Sequence, residues 1–260
     1  MTLKIEAIPA FDDNYIWLIT QSGTQNCIVV DPGDEEPVLQ RLKQSSLNLS
    51  AILITHKHYD HTGGVAALKQ AFPAAQVYGP GNEAIAVIEK VMTEGDEFVP
   101  NGLSQSFKVH SVPGHTEGHL AYQAGNNVFC GDTLFAGGCG RVFSGTFEQM
   151  TFSLMKIAAM DPETRLYCAH EYTQANLGFG LWVEPDNLAL KARSQQTDSL
   201  RQKNQPTVPS LLKEELQTNP FLRIREATVK AAASRWAEKE LINDVEVFTA
   251  LRQWKDREYD

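Results

Sequence analysis

The 260-residue sequence predicts an α+β fold, a mixed strand-and-helix body followed by a helical C-terminal region. Three observations predict it. Up to about residue 170, short apolar stretches alternate with Gly, Pro and Asn, the punctuation of strands and turns. Three of those stretches end in polar residues, Thr55-His56, Cys130-Gly131-Asp132 and Cys168-Ala169-His170, which marks a site on one rim of a sheet. After about residue 173 the texture becomes helical. The expected division is 1–172 and 173–260.

In chain order, "LKIEAI", "YIWLIT" and "NCIVVDPG" read as strands, the last closing on the turn signal Asp31-Pro32-Gly33. "EEPVLQRLKQS" reads as a helix. "LSAILIT" is a buried strand that empties into His56. "GGVAALKQAF" has helical spacing, with Val65, Leu68 and Phe72 on one face. Later strands are "SFKVHSVP", "LAYQAG", "NVFCGD" and "TRLYCAH". The stretch from "LGFGLWVEP" to "RQKNQ" is largely helical and "PTVPS" breaks it, while "LLKEELQTNPF" and "DVEVFTALRQWKDREYD" are further helices.

Composition narrows the function. A hydrophobic content of 42% supports a proper core. No apolar run is long enough to span a bilayer, and Asp12 and Asp13 interrupt the start too early for a secretory leader. The formal charge of −9 opposes general nucleic-acid binding, which needs a basic face. Cys27, Cys130, Cys139 and Cys168 form no C-x-x-C pair, so buried reduced thiols in a cytoplasmic protein are expected.

The chemistry concentrates in "THKHYDHTGG" at 55–64, which holds three of the chain's seven histidines. If this run is locally extended, residues 56, 58 and 60 point to one side and His61 elsewhere. One metal ion would then take His56 and His58, and a second Asp60 and His61. His115 in "VPGHTEGH" can complete the first set and His170 in "YCAHEYT" the second. Asp132 in "FCGDTLF", with two carboxylate oxygens, is the natural bridge between two ions. Imidazole with carboxylate suits zinc first, with iron or manganese as alternatives, rather than calcium or magnesium. His110 reads as structural and His119 as a hydrogen-bonded neighbour of the ligands. Asn14, Tyr15 and Asp31 read as structural or supporting.

The H-x-H-x-D-H run with the later lone His, Asp and His resembles the signature of the metallo-β-lactamase superfamily. More narrowly the chain is similar to the glyoxalase II (hydroxyacylglutathione hydrolase) family. The stretches that carry this are "IPAFDDNYIW", "THKHYDHTGG", "GHTEGH", "GDTLFAGGCGR", "HEYT" and "PTVPSLLKEELQTNPFLR". The resemblance implies a four-layer αβ/βα sandwich, with a helical C-terminal domain closing over the substrate. It also implies hydrolysis of the thioester S-D-lactoylglutathione to D-lactate and glutathione, a step of methylglyoxal detoxification. The nucleophile would be hydroxide bridging two divalent ions, with Asp60 and Asp132 as the catalytic carboxylates. A thiolate leaves readily, so no general acid is obligatory.

The substrate is an anionic glutathione thioester, so local cations are needed. By resemblance, Arg141 contacts the glutathione backbone, Tyr172 is the family's tyrosine contact, and Arg252 with Lys255 holds the glycine carboxylate. Phe143 stands where some members carry tyrosine, which removes one hydroxyl contact. A monomer is expected. Three rival readings fit the residues less well. A lactonase or β-lactamase is opposed by Asp132, where one large β-lactamase group has cysteine, and by the stretch 206–223. A single-iron persulfide dioxygenase lacks such a C-terminal region, and a silent scaffold usually loses ligands.

Overall fold

A computed structural model describes residues 3–259. It divides into two compact units, one comprising residues up to Val112 together with Thr116–Gly131, the other Pro113–His115 together with everything from Asp132.

The first unit contains β1 (Leu3–Ala10), β2 (Asn14–Gln21), β3 (Asn26–Val30), α1 (Glu35–Ser45), β4 (Asn48–Leu53), α2 (Tyr59–Thr62), α3 (Val65–Ala71), β5 (Gln76–Pro80) and β6 (Lys90–Met92). Its strands form a sheet in sequence order, with β1–β2–β3 antiparallel and β3–β4–β5–β6 parallel. Further on, β7 (Glu97–Phe98), β8 (Phe107–Ser111), β9 (Leu120–Ala124) and β10 (Asn127–Gly131) run antiparallel to their neighbours.

Helix α1 forms where its sequence asks for it. Asp34 caps it by accepting from the Glu36 amide at 3.0 Å, Glu35 and Glu36 face the positive end, and Ser46 closes it in the left-handed region. Val38 and Leu42 of α1 and Val65 and Leu68 of α3 pack on one face of the first sheet against Ile16, Leu18, Val29, Ile52 and Val77. Phe72 packs partly buried against the same cluster. The strands β2 and β4 are buried on both faces, which explains their nearly unbroken apolar runs. Between the strands, Tyr78 stacks on Phe98 with centroids 4.7 Å apart, and Tyr122 donates its hydroxyl to the Ile54 carbonyl at 2.7 Å.

The second unit contains β11 (Leu134–Phe135), β12 (Gly138–Cys139), α4 (Phe147–Ala158), β13 (Arg165–Cys168), α5 (Thr173–Val183), α6 (Leu188–Arg201), β14 (Ser210–Leu211), α7 (Leu212–Thr218), α8 (Ala227–Trp236) and α9 (Asp244–Trp254). A π-helical turn at Lys255–Tyr259 follows. Phe179 stacks on Phe221, Phe221 meets Phe248 edge-on and Phe248 tilts against Phe147, which joins α5, α9 and α4 in one aromatic core. A fully buried ion pair, Arg193 with Glu215 at 2.5 Å, ties α6 to α7. Among the described residues no helix is long and apolar enough to cross a membrane.

Candidate metal centre

The run after β4 differs from the sequence expectation in one respect. It stays extended only through His58 (φ −62°, ψ 147°), and Tyr59–Thr62 then turn helically. Asp60 is therefore not the third member of an extended row. The turn nevertheless brings the carboxylate to its neighbour, with Asp60 Oδ2 lying 3.3 Å from His61 Nε2. On the extended side, His56 Nε2 lies 3.0 Å from His58 Nδ1.

Hydrogen bonding fixes which ring nitrogens are available. Thr55 donates its hydroxyl to Asp31 at 2.7 Å, so its oxygen accepts from His56 Nδ1 at 3.0 Å. Asp31 Oδ2 likewise accepts from His61 Nδ1 at 3.0 Å. With Nδ1 carrying the proton, Nε2 of both rings keeps its lone pair. This is the arrangement in which a supporting partner orients a metal-binding imidazole. Asp31 also accepts from the Thr55 amide at 2.8 Å and sits at φ +54°, a strained conformation held by these bonds. Asn14 donates to Asp60 Oδ2 at 3.0 Å. His119 stacks on His56 with centroids 4.6 Å apart, and His110 pairs with Gln123 at 2.7 Å. Gly131 sits at φ +48°, where a Cβ would lie 2.5 Å from the Thr55 hydroxyl, so the strand end beneath these rings requires glycine.

The second unit gathers the remaining candidates. The Asp132 Oδ2 atom lies 3.5 Å from His115 Nε2 and 3.4 Å from His170 Nε2. His115 Nδ1 donates to the Arg141 carbonyl at 2.8 Å, which again leaves Nε2 with its lone pair. All three residues are buried. The donor set, imidazole nitrogens with their far sides anchored and carboxylate oxygens beside them, fits zinc, iron or manganese.

A cavity of about 460 Å³ in this unit is lined by His115 and Asp132 together with Arg141, Phe143, Tyr172, Arg252 and Lys255. The sequence-predicted substrate residues thus share one cavity wall with two predicted ligands. Tyr172 lies parallel to His170 at 4.7 Å, and Phe143 meets His115 edge-on at 5.3 Å. The two C-terminal cations are not solvated charges, because Arg252 is 1% and Lys255 5% exposed. Arg252 donates to the Cys139 carbonyl at 3.0 Å and to Asp256 Oδ1 at 3.1 and 2.8 Å, and it lies over the Phe221 ring. Arg141 is half-exposed and stands 3.6 Å from the same Asp256 oxygen. Burial pushes the Cys139 thiol up to about 11, although Arg252 lowers it, so this cavity residue stays protonated at neutral pH. All four cysteines are buried and free.

Sequence reasoning did not single out Asp256, which holds Arg252, or Glu83, which accepts from the amides of Lys57 at 2.5 Å and Gly118 at 3.0 Å. Asp256 follows directly on "LRQWK" and could have been found as the acid four residues after Arg252. Glu83 carries no local signal.

Residues 10–170 match the family model described as metallo-beta-lactamase superfamily, and residues 171–258 match that described as hydroxyacylglutathione hydrolase C-terminus. The hydroxyacylglutathione hydrolase of Alkalilimnicola ehrlichii is 52% identical over 254 residues, covering 98% of this chain and 99% of the relative. Among solved structures, the BLEG-1 B3 metallo-beta-lactamase covers 85% of this chain and 99% of its own with a TM-score of 0.63 at 20% identity, a likeness of fold alone. TTHA1623 in a di-iron-bound form covers 64% of this chain and 91% of its own, with a TM-score of 0.53 at 28% identity. With both family models and a full-length relative agreeing, the α+β chain has the metallo-β-lactamase fold with a helical C-terminal region, and it belongs to the hydroxyacylglutathione hydrolase family.

Proposed function

We propose that this chain hydrolyses S-D-lactoylglutathione to glutathione and D-lactate at a centre holding two divalent metal ions. A relative named for this activity, 52% identical over 98% of this chain, supports the reaction. The observation that carries it to particular residues is the single cavity that joins His115 and Asp132 to Arg141, Tyr172, Arg252 and Lys255. In this reading His56, His58 and His115 hold one ion and Asp60, His61 and His170 the other, with Asp132 shared. The orientation of each ring by a partner on its far nitrogen, and the di-iron form of a structural neighbour, support the assignment. Zinc is the first expectation, with iron and manganese fitting the same donors.

Bound there, the ions would lower the pKa of water toward neutrality and polarise the thioester carbonyl. The chain's own residues do the rest. Asp132 and Asp60 supply negative charge among the imidazoles, and Asn14 holds Asp60 by one carboxylate oxygen. Lys255 and Arg141 give the cavity the positive charge that an anionic tripeptide needs in a chain of net charge −9. Arg252 adds to that field, but its Nε and both terminal nitrogens already donate to the Cys139 carbonyl and Asp256. It shapes the wall as much as it binds. Phe143 is exposed and places an apolar ring beside His115, without the hydroxyl contact.

We divide the labour at 172/173, the metal-binding part before and the glutathione-binding part after, which the family-model boundary at 170/171 supports. A monomer in the cytoplasm completes the reading. Free buried thiols support a reducing compartment.

The test follows loss of the thioester of S-D-lactoylglutathione on adding purified, zinc-loaded protein, with a lactone and a β-lactam run in parallel. Rapid thioester loss with slow or no turnover of the other two is expected. Lactone or β-lactam cleavage without thioester hydrolysis would overturn the assignment.

A further inference from the structure

We propose that Glu83 is a positioning residue for the metal centre, a buried carboxylate that fixes the loop of His56 and His58 against the loop of His119 through one backbone amide on each. The inference rests on the reading of His56 and His58 as ligands. Glu83 Oε2 accepts from the amide of Lys57, the residue between the two histidines, at 2.5 Å. Its Oε1 accepts from the amide of Gly118, immediately before His119, at 3.0 Å. The side chain is buried, and both partners are backbone groups whose positions set the directions of the neighbouring imidazoles.

Two further contacts show that the loops are built to meet at this point. The Leu120 amide donates to the Thr55 carbonyl at 2.9 Å, on the other side of His56 from Lys57. His119 stacks on His56 with an interplanar angle of 18°. Gly118 has no room for a side chain, because an added Cβ would collide with the Asn82 side chain and with Glu83 Cγ. A buried carboxylate held by two amides is costly to leave unmatched, so both amides are drawn to it and the peptide on either side of Lys57 is fixed. The side chains of Asp60 and His61 are held otherwise, by Asn14 and Asp31 in turn. Glu83 therefore acts on the ion that His56 and His58 hold and leaves the other largely alone.

The test compares Glu83→Ala and Glu83→Gln with the unsubstituted protein by chelator competition for zinc, and follows thermal unfolding of the metal-free forms. Outer partners of metal ligands are worth about 10–100-fold in affinity. Glu83 acts through the backbone beside the ligands and not on a ligand ring, so Glu83→Ala should weaken one of two bound zinc ions by about 10-fold, the lower end of that range, with the other unchanged. Glu83→Gln keeps one acceptor oxygen and should weaken the same ion less. If the Ala variant does not fold, the Gln variant carries the test. Unchanged affinity for both ions would overturn the proposal, as would a fall of both affinities in step with a loss of metal-free stability, which would mark a role in folding alone. Fewer than two zinc ions on the unsubstituted protein would instead overturn the reading of the centre itself.

Discussion

Replacing Glu215 with Gln should cost the protein about 3 kcal/mol, because it removes the charge that a buried guanidinium depends on. Glu215 is wholly buried and accepts from Arg193 at 2.5 Å, from the Gly137 amide at 2.9 Å and from the Asn219 side chain at 3.0 Å. Breaking a buried ion pair by removing one partner costs about 3–5 kcal/mol. The lower end applies here, since the half-exposed Glu214 lies 3.4 Å from Arg193 Nε and offers partial compensation. For a chain of this size about 3 kcal/mol corresponds to a fall of roughly 6–12 °C in Tm. The assay is urea unfolding with slope and midpoint fitted separately. A companion variant with Arg193→Met and Glu215→Leu together should recover much of the loss, as no charge is then buried alone. It should not recover all of it, because Gly137 still loses its acceptor. A Glu215→Gln variant within about 0.5 kcal/mol of the unsubstituted protein would refute the reasoning. The same residue explains two stretches that carry the family resemblance. Glu215 and Asn219 lie in 206–223, and through Gly137, Phe135 and Gly138 they hold the loop that leads to Arg141.

Alanine at Gly178 would ordinarily stabilise a helix by about 1 kcal/mol. Here the added Cβ collides with the Tyr259 hydroxyl, and Tyr259 packs on Trp182 and under Lys255. Gly178→Ala should therefore displace the C-terminal turn and raise KM more than it lowers kcat; a stabilised variant with unchanged KM would contradict this. Acid sensitivity should also show a named source. Burial raises the pKa of Glu184, but Arg223, Thr228 and Asn187 outweigh it and hold the carboxyl below its ordinary value of 4.5. A depressed folded-state pKa contributes stability above the unfolded value and loses it as pH falls through the folded one. The gap in urea midpoint between the unsubstituted protein and Glu184→Gln should be steady near neutrality and shrink below about pH 4.5. An equal gap at pH 7 and pH 3 would rule this out.

Much of the fold was legible because its elements carry strong local signals. "EEPVLQRLKQS" is α1 from first residue to last, since the Asp34 cap, acidic first turn and apolar spacing all agree. Helix α4 carries equally clear signals that the sequence reading left unused, a capping box of Thr146 and Gln149 and the helical spacing of Met150, Leu154 and Ile157. Two-residue strands such as β11 and β12 have too few positions to show any alternation. The ligand candidates were legible because three histidines and an aspartate crowd six positions, but the single helical turn at Tyr59–Thr62 is shorter than any period can reveal. Glu83 was invisible for another reason. Its partners Lys57 and Gly118 lie 26 and 35 residues away, so its role exists only once the chain has folded.

The central claim is that two ions share Asp132, and counting metal on variants of that residue tests it most directly. Purified Asp132→Ala and His58→Ala would be analysed for metal per chain beside the unsubstituted protein. The account predicts close to two ions on the unsubstituted chain, loss of one on His58→Ala, and weakening of both on Asp132→Ala. Two tightly held ions on Asp132→Ala would contradict it.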